Sequence, residues 1–216
     1  MTIGAFLRAT LGPKWFPVVG RWYRRIFVDL DALARAMSPH IPEGVRILDV
    51  GGGDGEPLNS LLTLRPDLSV TLIDEASSVG GALRPEIRER VELHPGLSLD
   101  QCLERGLRPN VIIVLDVVHH VRTEDRSSFL AAIGRSAAAA GATVLVKDVE
   151  PGRLVSWLSY LSDRLITGDK DVALISSVDL GRRIAEAFPG SIVEKSDYSQ
   201  LDGPNYLLVA RPPAVG

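Results

Sequence analysis

From Val45 onward, short apolar runs alternate with longer runs of mixed polarity. "VRILDV" (45–50), "LSVTLID" (68–74), "RVELHP" (90–95), "NVIIVLD" (110–116) and "ATVLVKDVE" (142–150) read as β-strands. They are short, rich in Val, Ile and Leu, and bounded by turn residues. "NVIIVLD" is the most apolar and is placed at the sheet centre. Helices are expected between the strands. Pro57 suits the first turn of one over about 57–65. "GGALRPEIRER" is partly helical, and "SLDQCLERG" (98–106) forms a short helix closed by Gly106. Thr123 is expected to cap a helix that runs to Ala140 and ends at Gly141. Strand-helix-strand alternation implies a parallel sheet with helices on both faces.

The rhythm changes after Pro151. "GRLVSWLSYLSDRLITG" reads as an amphipathic helix, and Asp179 begins a region suited to another that ends near "FPG". "SIVEKSDYS" and "NYLLVAR" then read as two strands joined through "QLDGP", with Asp202-Gly203 in the turn. The parallel sheet is therefore expected to finish with an antiparallel strand.

The stretch "ILDVGGGDGEPLNSLL" (47–62) follows the first strand and opens a helix. Glycines there permit a tight turn and close approach of a ligand, and the following helix offers N–H groups to an anion. A dinucleotide loop would read G-x-G-x-x-G, but Glu56 stands at the third glycine position. A phosphate-binding P-loop needs Gly-Lys-Ser/Thr, and none follows. Asp54 and Glu56 also repel a pyrophosphate. An acidic loop suits a cationic ligand.

The spacing of Asp49, Gly51, Gly53 and Gly55 resembles motif I of the class I S-adenosylmethionine-dependent methyltransferases. The resemblance covers roughly residues 45–211 in motif order and strand pattern. It implies an α/β, Rossmann-like three-layer sandwich with a seven-stranded, mostly parallel sheet and an antiparallel last strand. It also implies S-adenosyl-L-methionine as cofactor. The implied cofactor-binding residues are Asp49, Gly51, Gly52, Gly53 and Asp54 in the loop. Asp74, with Glu75 beside it, ends the second strand 23 residues after Gly51, where an acid accepts both ribose hydroxyls. After the third strand the family often carries an acid; here Leu97 replaces it, which leaves adenine to backbone groups, Leu97 or Ser98. Asp116 ends the fourth strand, where the family lines the methionine portion and the acceptor mouth. A loop-capping aspartate is the alternative there.

Such an enzyme mainly aligns its reactants and excludes water. A base is needed only where the acceptor must lose a proton. His119 and His120 follow the fourth strand and are the catalytic candidates. In an extended segment one would face the site and the other would pack elsewhere. Structural packing beneath the cofactor is the alternative for either. Lys147 and Asp148, at the end of the fifth strand, touch substrate or form an ion pair. Asp116, Asp148 and His120 share that rim, but spacing does not establish a metal site and none is predicted. His40 and His94 receive no role.

Composition sets outer bounds. The chain has 216 residues, 45% hydrophobic and 24% charged, with a net charge of −3. This suits one globular domain without general attraction to nucleic acid. The single cysteine, Cys102, excludes an internal disulfide and suits a reducing compartment. The first 20 residues do not read as a signal peptide, and no run of 18 apolar residues exists. The expectation is a cytoplasmic protein, or one peripheral to the membrane.

Residues 1–28 carry Arg8, Lys14, Arg21, Arg24 and Arg25 without an acid, interleaved with Phe6, Trp15, Phe16, Trp22, Tyr23 and Phe27. Such a segment lies on a membrane surface or covers an apolar pocket, unless it simply packs on the domain. The organisation expected is an N-terminal helical cap (1–44) and a methyltransferase domain (45–216) with a lid around 151–177. Trp157, Leu158, Tyr160 and Leu161 of that lid would line the acceptor pocket. The functional expectation is a methyltransferase for a small, hydrophobic or lipid-like acceptor. The alternative is a non-catalytic domain that keeps the fold for binding or scaffolding. A nicotinamide-dependent oxidoreductase is disfavoured by the glycine loop. A nucleic-acid methyltransferase is disfavoured by the charge and by the lack of Asn-Pro-Pro-Tyr after strand four.

Overall fold

The computed structural model describes residues 29–151, 173–198 and 205–213. The N-terminal segment 1–28, the lid residues 157–161 and the Asp202-Gly203 turn lie outside them. Helix α1 (Leu30–Met37) comes first, its N-terminus capped by the Asp29 carboxylate, which accepts from the Ala32 N–H at 2.9 Å. Then follow β1 (Arg46–Val50), α2 (Glu56–Leu64), β2 (Ser69–Asp74), α3 (Pro85–Arg88), β3 (Val91–Pro95), α4 (Leu99–Glu104), β4 (Val111–Leu115), α5 (Arg126–Ala140), β5 (Thr143–Val149), α6 (Ser177–Ala187), β6 (Ile192–Lys195) and β7 (Asn205–Arg211).

The strands form one seven-stranded sheet in the order β3-β2-β1-β4-β5-β7-β6. The first five are parallel to their neighbours, and β7 is antiparallel to both β5 and β6. The antiparallel finish expected from the sequence is present, with β7 inserted between its hairpin partner and β5. Strand order reverses between β1 and β4, so a crevice opens at their carboxyl ends, where ligands bind in open α/β sheets.

Alternation along the strands divides the core. Ile47, Leu72, Ile113, Leu145 and Leu207 share a cluster with Leu33 and Met37 of α1 and with Leu58 and Leu61 of α2. Leu48, Ile112, Val114, Val146 and Leu208 share the other with Ile133 of α5 and Ile184 of α6. Each such buried aliphatic side chain contributes about 1.5–3 kcal/mol relative to leaving it in water. Every residue of β4 except the last is fully buried, as its composition implied.

Two helix starts differ from expectation. α5 begins at Arg126, not beneath a Thr123 cap, because Arg122–Asp125 close a separate turn through the Asp125 and Arg126 N–H groups on the Arg122 carbonyl. Its end at Gly141 is as read. α6 starts before Asp179: the Ser176 hydroxyl accepts from the Asp179 N–H at 3.1 Å.

α5 and α6 cross at Gly134. A Cβ there would overlap the Ala187 carbonyl oxygen, which is backbone and cannot swing aside. Gly134→Ala is therefore expected to lower stability by about 1–3 kcal/mol, the usual range for overpacking, despite alanine's better helix propensity. Chemical denaturation checks this; an unchanged or raised midpoint would contradict the close crossing.

Candidate cofactor and acceptor site

The residues singled out by the sequence fall into two polar clusters at the carboxyl edge of the sheet. The first surrounds the glycine turn between β1 and α2. Gly51, Gly53 and Gly55 adopt positive φ angles of 71°, 52° and 76°. The Gly51 and Gly52 N–H groups donate to the Ile73 carbonyl at 2.8 and 3.3 Å, and that of Gly55 to the Gly52 carbonyl at 2.9 Å. The Gly53 N–H donates to Asp74 Oδ2 at 2.9 Å. The Glu56 N–H, at the start of α2, donates to Asp54 Oδ1 at 3.2 Å. These N–H groups serve the turn itself. The anion-binding helix start suggested by the glycine pattern is thus already satisfied by Asp54.

Gly52 is required by close approach: a Cβ would overlap Asp49 Oδ2 and come within 2.6 Å of Leu72 Cγ. Gly53 has no such crowding, and its nearest neighbour is Asp74 Oδ2. Asp74 also accepts from the Ala76 N–H at 2.8 Å, so each carboxylate oxygen holds one backbone bond and keeps a further lone pair. Glu75 is exposed beside it.

Asp49 is 3% exposed, and its Oδ1 has no hydrogen-bond partner among the described residues. Burial pushes its carboxyl up to about 7, and the charge of Asp74 adds to the shift. A buried, underbonded carboxylate facing a second carboxylate favours a positive group nearby. Leu97 lies in the apolar core, and Ser98 caps α4. The Ser98 N–H meets Gln101 Oε1 at 2.9 Å, and the Gln101 N–H returns to Ser98 Oγ at 3.4 Å.

The second cluster joins β4, β5 and the turn after β4. Register places Leu115 against Lys147. Lys147 is fully buried, and its Nζ bonds both oxygens of Asp116, at 2.6 and 2.8 Å. Asp116 has φ +58, the one positive φ outside glycine among the described residues. Aspartate tolerates that conformation better than most residues, and Lys147 holds it there.

The next residue, Asp148, is buried beneath His119. His119 Nδ1 lies 2.7 Å from Asp148 Oδ1, and the His119 N–H donates to Oδ2 at 3.2 Å. Burial alone would raise the Asp148 carboxyl. The charge and hydrogen bond of His119, the Val149 N–H and Lys147 outweigh that and hold it below its usual value. The histidines are not extended: Val118–His120 form a 3₁₀ turn. His119 is 3% exposed and His120 points outward, with their rings 4.2 Å apart. Lys147 pairs with Asp116 and Asp148 bonds His119, both in the segment after β4, rather than with each other.

Asp116, His119 and Asp148 bring ligand atoms within 4.8 Å of one another. The imidazole in this trio is His119, where the sequence had suggested His120. Lys147 holds Asp116 and the imidazole holds Asp148, so the trio carries its own cation and hydrogen-bond donor. His40 and His94 lie elsewhere, against Arg211 and Glu92. Two neighbours were not foreseen. Arg126, buried under the rim, donates to the Val121 and Ala173 carbonyls. Tyr198 is buried beyond β6. Neither carries a sequence signal, because each reaches the rim through tertiary packing.

No protein-family model matches the chain. The chain is 35% identical over 97 residues to ribosomal RNA small subunit methyltransferase G of Chromobacterium violaceum, a match covering 45% of this chain and 38% of that protein. Among solved structures, it resembles a putative O-methyltransferase of Nostoc punctiforme with a TM-score of 0.64 at 15% identity, over 84% of this chain and 55% of that one. It resembles the O-methyltransferase NcsB1 of neocarzinostatin biosynthesis, in complex with S-adenosylmethionine and 2-hydroxy-5-methyl naphthoic acid, with a TM-score of 0.58 at 20% identity over 84% and 56%. Magnesium protoporphyrin IX methyltransferase of Synechocystis, with bound SAH, gives a TM-score of 0.61 at 16% identity over 94% and 99%. The fold is therefore that of the class I S-adenosylmethionine-dependent methyltransferases, as the glycine motif and final hairpin implied. The chain spans less than two fifths of the curated relative and little more than half of the first solved structure.

The Asp49 carboxyl supplies a pH test. Its folded pKa is raised, so its stabilisation is complete below the unfolded value of 3.8 and is lost as pH rises through about 7. Asp49→Asn removes that titration. The thermal midpoint of the variant relative to wild type should climb between pH 5 and pH 8. A pH-independent difference would contradict the shift.

Proposed function

We propose that the protein is an S-adenosylmethionine-dependent methyltransferase acting on a small, hydrophobic or lipid-like acceptor. The observation that carries this reading is the Asp49–Asp74 pair around a turn whose glycine N–H groups are spent. It is a poor cradle for pyrophosphate and a good one for a ligand with an ammonium or sulfonium and ribose hydroxyls. The unpartnered Asp49 Oδ1 and the open space at Gly53 fit such a group. Asp74, with Glu75 beside it, would take the ribose hydroxyls. Asp49, Gly51, Gly52, Gly53 and Asp54 would face the amino acid portion. Leu97 and Ser98 would flank the base, and Asp116 the reacting end. When bound, the cofactor supplies a methyl group already activated on sulfur.

The remaining work falls to the second cluster. With Nδ1–H donated to Asp148, His119 carries its lone pair on Nε2. It can take a proton from an acceptor hydroxyl or amine there, while Asp148 stabilises the imidazolium. His120 is assigned a lesser part, because it is exposed and Asp148 holds His119 instead. The acceptor class is supported by the negative net charge and by the small acceptor in the NcsB1 complex. The aromatic and basic composition of residues 1–28 adds a peripheral membrane contact to the reading. No helix among the described residues is long and apolar enough to cross a membrane.

Calorimetry with S-adenosylmethionine tests the reading: absence of binding by the whole chain would sink it. Asp74→Ala should weaken binding by roughly 10-fold or more, the loss of a charge-assisted bond pair. Methyl transfer from labelled cofactor into small-molecule and lipid extracts should then be detected. Binding without transfer would favour the non-catalytic alternative. At saturating cofactor, His119→Ala should lower turnover by about 100-fold or more, and His120→Ala much less. Wild-type rates in both would remove the base.

A further inference from the structure

Tyr198 follows β6, whose Lys195 pairs with Leu208, the residue that also faces Val146 of β5. The Ser196 N–H donates to the Leu207 carbonyl at 2.9 Å, and Leu207 faces Lys147. The chain thus leaves the sheet level with Lys147, and Tyr198 lies two residues further, at the carboxyl rim. Its ring belongs to the apolar cluster of Leu33, Met37, Leu145 and Leu207. Lys147, alternating with Leu145 along β5, points to that same face.

Tyr198 is 6% exposed, and its hydroxyl has no hydrogen-bond partner among the described residues. Buried hydroxyls are nearly always bonded, because an unmade bond forfeits hydration without replacement. The surrounding apolar cluster gives no reason for a hydroxyl; phenylalanine would fill it as well. Burial first, then the charges of Asp116 and Asp29, push the phenol above its usual range. The group is therefore a protonated donor within electrostatic reach of Asp116. Asp116 is itself held by Lys147, and the Asp29 carboxylate accepts from the Ala32 N–H.

We propose that Tyr198 orients the methyl acceptor, donating a hydrogen bond from its hydroxyl to an oxygen of that molecule beside the Lys147–Asp116 pair. This rests on the methyltransferase reading above. The acceptor so recognised is an apolar frame carrying a hydroxyl, carbonyl or ether oxygen. The cluster that holds Tyr198 is apolar, and Asp116 is paired with Lys147.

Tyr198→Phe in the whole chain tests the assignment. Without ligand, the variant should melt at or above the wild-type midpoint, since it loses an unbonded hydroxyl. Its affinity for S-adenosylmethionine should stay within about twofold of wild type. The concentration of small-molecule extract giving half-maximal label incorporation should rise about tenfold, the scale of one lost hydrogen bond. A midpoint lowered by several degrees would show the hydroxyl bonded inside the protein and overturn the proposal. An unchanged extract titration would overturn it too. Failure of wild-type protein to bind S-adenosylmethionine would instead remove the methyltransferase reading itself.

Discussion

The hydrogen bond from the Gly53 N–H to Asp74 Oδ2 ties the glycine turn to the end of β2, and the first half of the site depends on it. Without it, the turn between β1 and α2 would have one more unsatisfied donor at a buried edge. With it, the turn is drawn over the carboxyl ends of two neighbouring strands. Asp49 is thereby sealed beneath Gly52, against Leu72 of β2. The segment after β2 closes the other side, through the Gly80 and Ala82 N–H groups on the Gly53 and Asp54 carbonyls. One bond therefore couples the loop, two acids and the following segment into a single rigid rim.

Strand register does the corresponding work on the other side of the switch point. Adjacent residues of β5 point to opposite faces, so Lys147 and Asp148 diverge. Lys147 meets Asp116 on the α1 side, and Asp148 meets His119 on the α5 side. A one-residue slip of β5 against β4 would exchange these faces and leave a buried lysine among aliphatic side chains. The cost of an unpaired buried charge, several kcal/mol, strongly disfavours such a slip. The polar pairs at this rim thus specify the register of the sheet as well as its chemistry.

Much of this was legible in the sequence, for reasons that can be separated. Val, Ile and Leu runs marked the strands, because central parallel strands are buried on both faces. "DVGGGDG" marked the turn, because only glycine permits its positive φ angles and the closeness of Gly52 to Asp49. Asp74 and Asp116 were legible as acids that end apolar strands. The pairing of Lys147 with Asp116, the contact of Asp148 with His119, and the arrival of Tyr198 were not. Each depends on register or on a 3₁₀ turn, and neither leaves a periodic trace. The missed start of α5 has a similar cause: Thr123 is a good capping residue, but Arg122 closes a turn before a helix can begin there.

The two clusters differ in how their charge is balanced. Around the glycine turn, Asp49 and Asp74 act on one another, and no lysine or arginine contributes to the Asp49 shift. Around β5, Asp116 is paired with Lys147, and Asp148 is held by a hydrogen bond from His119. A cationic ligand is attracted to the first, while at the second Asp116 already holds Lys147 and Asp148 is fully buried beneath His119. In the proposed reading, that asymmetry directs the positive methyl donor to the β1–β2 side and leaves the β4–β5 side to an acceptor with little charge. The same fold with Lys147 made neutral would present an unpaired acid on both sides. A cation would then lose its reason to choose between them. The partition of charge along one sheet edge, rather than the glycine loop alone, is what would give the site a direction.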